Sequence, residues 1–195
     1  MGVRVLYLAR HGETDWNVAG KWQGHTDIPL NSNGKAQALA LAEVLREVGL
    51  VGVVSSDLSR AKETGAIVAE RLGLAMPYVD VALRERAFGP FEGLTIDECA
   101  RMYPDAWRAW RKDLVVPQGA EDRPLVAARV LKALARVAET VATDSGSALV
   151  VTHGGALRAA VEAATGTLPP PIANGAVWRI EHSDRILAAR PLPSR

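Results

Sequence analysis

The sequence predicts an α/β fold: a three-layer sandwich with a mostly parallel central sheet flanked by helices. Two observations carry the fold class. Residues 3–9, 51–55 and 148–152 are short β-branched and aliphatic runs, apolar throughout, as strands covered on both faces are. Between them lie segments whose apolar residues recur at helical spacing. Strands alternating with helices imply parallel neighbours in one sheet.

Each element follows in order. After the first strand comes a glycine- and polar-rich stretch, 12–33. Ser32 or Asn31 then caps a helix striped by Leu41, Val44, Leu45 and Val48, with Gly49 as its stop. The second strand, 51–55, leads to a helix opened by Asp57 to Ser59, striped by Ala61, Val68 and Leu72, and stopped near Gly73. Residues 78–81 read as a short strand. Residues 82–118 read as irregular, with helical pieces at 97–102 and 105–112. Val126, Val130, Leu134, Val137 and Val141 mark a long amphipathic helix. The strand 148–152 precedes a helix over 156–165, and 176–189 reads as two strands joined at Ser183-Asp184. The 195 residues suit one domain, 1–195, with the prolines at 169–171 forming a turn inside it.

Composition excludes several classes. A net charge of +1 gives no global field for nucleic acid or an anionic membrane, so any preference for anions is local. The apolar run at the N-terminus is too short for a signal-peptide core or a membrane span. Cys99 is the single cysteine and has no internal partner, so a reducing, cytoplasmic setting is expected. Cys99 itself reads as a packed residue. It is followed six residues later by Asp105, so the Cys-x5-Arg loop of thiol phosphatases is missing. There is no HExxH pair, no cluster with zinc spacing and no GxxxxGK[ST] loop.

Two histidines occupy matching places. His11 follows the strand ending at Ala9, and His153 follows the strand ending at Thr152. Ligands of open α/β sheets bind at the carboxyl ends of strands, so the two imidazoles meet at one crevice. Arg10 adjoins His11, and Arg60 starts the helix after the second strand. Arginine forks hold phosphate oxygens in pairs, and helix N-termini after the second and fourth strands would add N–H donors. The set reads as a phosphate pocket. His25 and His182 lack such placement and read as structural.

"LARHGETDWN" at 8–17 resembles the signature of the histidine phosphatase superfamily, the phosphoglycerate mutase-like family. "KWQGHTDIPLNSNGKAQA", "VVSSDLSRAKETG", "LRERAFGPFEGLT" and "VVTHGGALR" continue the match in the family's order over most of the chain. The resemblance implies roles. His11 would be the nucleophile that becomes phosphohistidine. Arg10, Arg60 and His153, with Gly154 beside it, would bind the phosphoryl group. Asn17 would reach toward it, and Gln23, Gly24 and Thr26 would line the entrance. Glu85 would be the proton donor to the leaving oxygen, with Glu13 as its rival. No metal or organic cofactor is implied.

Chemistry agrees with these roles. A neutral imidazole is a competent nucleophile near neutral pH. Fixed cations stabilise charge on the equatorial oxygens. A carboxylic acid supplies the proton an alkoxide needs to leave. Glu85 must therefore be protonated at transfer, which a neighbouring phosphate dianion favours.

Three readings follow: a phosphatase of small phosphorylated metabolites, a cofactor-dependent phosphoglycerate mutase, and a catalytically silent phospholigand-binding protein. The chain resembles the shorter phosphatase members, such as the α-ribazole and broad-specificity phosphatases. Selectivity is expected in a lid at 95–118, where Trp107, Trp110 and Arg111 either face the substrate or, for the two tryptophans, pack the helix. Asn174 would offer an amide to the pocket, and Glu121 stands where many members have the glutamate of a Gly-Glu-Ser turn. The partner is a small metabolite, with neither nucleic acid nor membrane, for a monomer or homodimer.

Overall fold

The computed structural model describes residues 2–112 and 115–192. Its sheet has six strands: β1 (Arg4–Arg10), β2 (Leu50–Ser55), β3 (Tyr78–Val79), β4 (Ser147–Thr152), β5 (Val177–His182) and β6 (Ile186–Pro191). Their spatial order is β3-β2-β4-β1-β5-β6. The first four run parallel, while β5 is antiparallel to β1 and β6 to β5. Only the β5–β6 connection is too short for a crossover, so these two form a hairpin at the edge. The helices are α1 (Asp15–Val18), α2 (Ser32–Val44), α3 (Ser59–Leu72), α4 (Ile96–Met102), α5 (Pro104–Arg111), α6 (Arg123–Thr140) and α7 (Gly154–Thr165). Among the described residues, no helix is long and apolar enough to cross a membrane.

Period-two alternation explains the continuous apolar runs. Tyr7, Ala9, Val53, Leu149 and Val151 face a core shared with α2 and α3. Leu6, Leu8, Val54, Ala148 and Val150 face the opposite core, shared with α6 and α7. Each strand thus feeds two cores, and burying one such leucine is worth about 2 kcal/mol. A third cluster, Phe88, Phe91, Cys99, Trp107 and Trp110, binds α4 and α5 to the 88–91 turn.

Several boundaries differ from expectation. Asn31 caps α2 by accepting from Gly34 N at 2.8 Å, but the helix ends at Val44 and loosens into turns before Gly49. The one-turn α1 inside the polar stretch escaped the sequence reading because it presents no buried stripe. α3 starts at Ser59 after Leu58, without a local side-chain cap. Asp27 replaces that cap from another loop, accepting from Ser59 N and Oγ, each at 2.7 Å. β3 stops at Val79, and 81–83 winds into a 3₁₀ turn. α7 begins at Gly154, two residues early, for a reason that lies in the site.

Candidate active site

Sheet register builds the centre of the site. Arg10 pairs with Thr152 at the ends of β1 and β4, so the next residues, His11 and His153, stand side by side. Their ring centroids are 5.1 Å apart. His11 Nδ1 donates to the Gly12 carbonyl at 2.6 Å, which leaves Nε2 as the basic nitrogen. Both rings are buried. Burial, then the charges of Arg60 and Arg10, hold His11 well below the ordinary histidine range. Burial, Arg60, His11 and Arg10 act the same way on His153. Both imidazoles are therefore neutral at pH 7.

Two guanidiniums close around them. Arg60 is fully buried; Nη1 donates to Thr26 O at 2.9 Å and Nη2 to Gly24 O at 2.8 Å. Burial lowers it to about 10, against the opposing pull of Glu85, Asp27 and Glu92, so it stays charged at neutral pH. Arg10 Nη1 donates to Ile172 O at 2.5 Å. Arg10 Nε, Arg60 Nε and both ring nitrogens of His153 are buried with no hydrogen-bond partner among the described residues. Buried donors left unpaired cost about 1–3 kcal/mol each. His153 is wholly buried beside His11 and does not itself line the crevice, but with Arg10 and Arg60 it leaves unpaired nitrogens next to the His11 ring, an arrangement that can receive an oxyanion.

The crevice, about 230 Å³, is lined by Arg10, His11, Asn17, Gln23, Gly24, Arg60, Glu85 and Gly154, all anticipated. Lys21, Trp22, Phe88 and Arg158 also line it and were missed, because they sit on loops or on a helix face with no motif of their own. Thr26 does not line it. Its N–H and hydroxyl donate to Glu92 at 2.9 and 2.7 Å, and its carbonyl holds Arg60. Gly24 has φ +53°, and a Cβ there would collide with the same Glu92 carboxylate. Asn174 is absent from the lining too. Its amide donates to His11 O at 3.1 Å, Gly12 O at 3.2 Å and Asn17 Oδ1 at 3.1 Å, so it holds the nucleophile's loop from outside.

Glu85 stands opposite, gripped by backbone. Its Oε1 accepts from Ala156 N and Arg86 N, both at 2.8 Å, and Oε2 from Gly155 N at 3.0 Å. This is why α7 starts early: its first N–H groups cap on a carboxylate from another loop. The expectation that helix N-termini offer these N–H groups to the anion is corrected accordingly; Ser59, Gly155 and Ala156 N–H are all bonded to carboxylates. Gly155 is required, because a Cβ there would lie 2.5 Å from Glu85 Oε1.

Glu13 is elsewhere, its Oε1 accepting from Asn31 at 3.0 Å and Asn33 at 3.1 Å, bonds that lower its pKa. His25 Nε2 donates to Glu85 O at 2.9 Å. Arg129 donates to the carbonyls of Ala82, Arg84 and Glu85 and to both oxygens of Glu121. Burial raises Glu121, but hydrogen bonds from His25, Arg129 and Ala87 N outweigh it and hold the carboxylate far below its usual range.

Trp107 and Trp110 pack, as the second alternative had it, with Trp110 also bordering an adjoining hollow. Part of the expected lid, residues 113–114, lies outside the described residues.

The chain is similar to known proteins over most of its length. The family model described as "Histidine phosphatase superfamily (branch 1)" matches residues 6–185. A glucosyl-3-phosphoglycerate phosphatase of Mycobacterium tuberculosis is 42% identical over 184 residues, covering 89% of this chain and 79% of that protein. A metal-independent phosphoserine phosphatase of Arabidopsis thaliana is 40% identical over 161 residues, covering 80% and 67%. The solved structure of a mycobacterial glucosyl-3-phosphoglycerate phosphatase with VO3 superposes with a TM-score of 0.84 at 33% identity, covering 96% and 97% of the two chains. Fold, motif order and likeness over nearly the full length agree: the chain belongs to the histidine phosphatase superfamily.

Proposed function

We propose that the protein hydrolyses small phosphomonoesters through a phosphohistidine on His11, with no metal taking part. The observation that carries this is the cluster of unpartnered buried nitrogens on Arg10, Arg60 and His153 beside a neutral His11 whose Nδ1 is committed to Gly12. His11 Nε2 attacks phosphorus as the bond to the leaving oxygen breaks. The guanidiniums and His153 take the charge of the equatorial oxygens. Glu85, held over the crevice by α7, gives its proton to the leaving oxygen. In the second half, Glu85 takes a proton from water, which attacks phosphorus, and His11 is released with inorganic phosphate. The buried single cysteine fits a reducing, cytoplasmic setting.

The test is p-nitrophenyl phosphate hydrolysis in excess chelator with wild type and His11→Ala. Wild type turns over, and the variant loses about 10⁴-fold or more in kcat. Full activity in His11→Ala removes the nucleophile. Isomerisation of 3-phosphoglycerate after bisphosphate priming, without hydrolysis, replaces the phosphatase by a mutase.

A further inference from the structure

The catalytic crevice opens into a second hollow of about 360 Å³. Trp22, Phe88, Gly155 and Arg158 line both. Arg86, Arg111 and Arg123 also line the second, and no acidic side chain does. These four arginines come from separate places: the loop after Glu85, the end of α5, the start of α6 and the first turns of α7. Gathering four guanidiniums on one concave surface is unfavourable unless an anion shares it.

Their surroundings fix them in place. Arg86 lies over the Trp110 ring at 4.8 Å, with Nε donating to Glu121 O at 2.7 Å. Arg111 lies over Trp107 at 5.6 Å. Arg158 Nε donates to Pro169 O at 2.9 Å. Arg123 pairs with Glu162 at 3.1 Å, whereas Arg111 and Arg158 form no ion pair among the described residues. The repulsion registers on Arg158, which burial and then Arg123 pull below the ordinary arginine value. A guanidinium stacked on a ring keeps its N–H edge for a planar anion. The tryptophans of α5 thus act as clamps for arginine.

We infer that the substrate carries a second anionic group, a carboxylate or another phosphate, which docks on Arg111, Arg123 and Arg158 while its phosphoryl group meets His11. This rests on the phosphatase reading of the crevice and selects among its substrates. Phosphomonoesters with neutral or cationic tails leave Arg111 and Arg158 without a counter-charge and bind more weakly.

Matched pairs test it. Phosphoserine is compared with phosphoethanolamine, 3-phosphoglycerate with glycerol 3-phosphate, and fructose 1,6-bisphosphate with fructose 6-phosphate. In at least one pair the acidic member has a kcat/KM higher by about tenfold or more. The pair with the largest ratio tells carboxylate from phosphate. In Arg111→Gln/Arg123→Gln the ratio collapses through KM, while p-nitrophenyl phosphate turnover falls far less. Equal kcat/KM within every pair, a ratio that survives the double variant, or an equal fall for p-nitrophenyl phosphate overturns the inference and leaves the phosphatase reading intact. Failure of wild type to hydrolyse any of these esters defeats the phosphatase reading instead. The Kd values of the same pairs on His11→Ala then decide the docking question separately: tighter acidic members uphold it, and equal affinities end it.

Discussion

The two walls of the crevice are built on different principles. On the side of the nucleophile, Arg10, His11 and His153 are mounted directly on the ends of β1 and β4, and the ladder between Arg10 and Thr152 fixes their spacing. Arg10 Nε and the ring nitrogens of His153 are left without partners among the described residues. On the side of the proposed acid, Glu85 sits on an irregular loop and is held by hydrogen bonds from α7, Arg86 N, Arg129 and His25. One wall stands on regular strands and is under-bonded, the other on an irregular loop that is richly bonded. Groups that must receive a ligand are held by the sheet and kept open. A group that must aim a proton is held by a network.

The strongest way to break this contrast is Glu85→Gln. It keeps the volume and loses the proton, with one of the two accepting oxygens turned into a donor against α7, so kcat for an alkyl phosphate falls by about 10²–10³-fold. For p-nitrophenyl phosphate, whose phenolate departs unaided, the fall is within about tenfold. Equal losses on both esters would show that Glu85 supports the wall and donates nothing.

Arg129→Met sharpens the same point. Arg129 joins three loop carbonyls to Glu121 and is only 21% exposed, so its loss costs about 2–3 kcal/mol in urea unfolding. Its effect on turnover falls in kcat with KM little changed, because the phosphate wall is untouched. A KM effect alone would place Arg129 in substrate binding.

The smallest effect is a pH dependence of stability on the under-bonded wall. His11 and His153 are held below the ordinary value near about 6.5 that they regain on unfolding. Below that value the unfolded chain takes up protons that the folded one refuses, so stability falls as pH drops. Between pH 6.5 and 5.5 the expected loss is about 1 kcal/mol per histidine. Inorganic phosphate, an anion that pairs with the imidazoles, flattens the slope. A melting temperature independent of pH in that window would mean that the rings are hydrated and charged.

This division also sets what was legible in the sequence. The sheet wall could be read, because strands announce themselves by apolar runs and a residue just past a strand end has a fixed place. His11, Arg10 and His153 follow from that alone, and Arg60 from the start of the next helix. Glu85 needed a family resemblance, since nothing in "LRERAFG" says that its carboxylate will cap a helix seventy residues further on. Thr26 and Asn174 were misplaced for a related reason. Side-chain amides and hydroxyls bond in several directions, and only tertiary neighbours, here Glu92 and the His11 carbonyl, settle which. Trp22 and Lys21 were invisible because their places arise from where loops cross, and Arg158 because nothing local marks the face of α7 that it occupies.

The turn at the head of α7 ties the two walls together. Within four consecutive residues, the His153 ring lies 5.1 Å from that of His11 while the amides of Gly155 and Ala156 hold Glu85, the proposed proton donor. Grip and release are therefore set by one short stretch of backbone. Inserting or deleting a single residue there would turn one side of the reaction by about 100° relative to the other. Redesign for new esters thus has room at the arginine-lined mouth and almost none at this hinge of the chemistry.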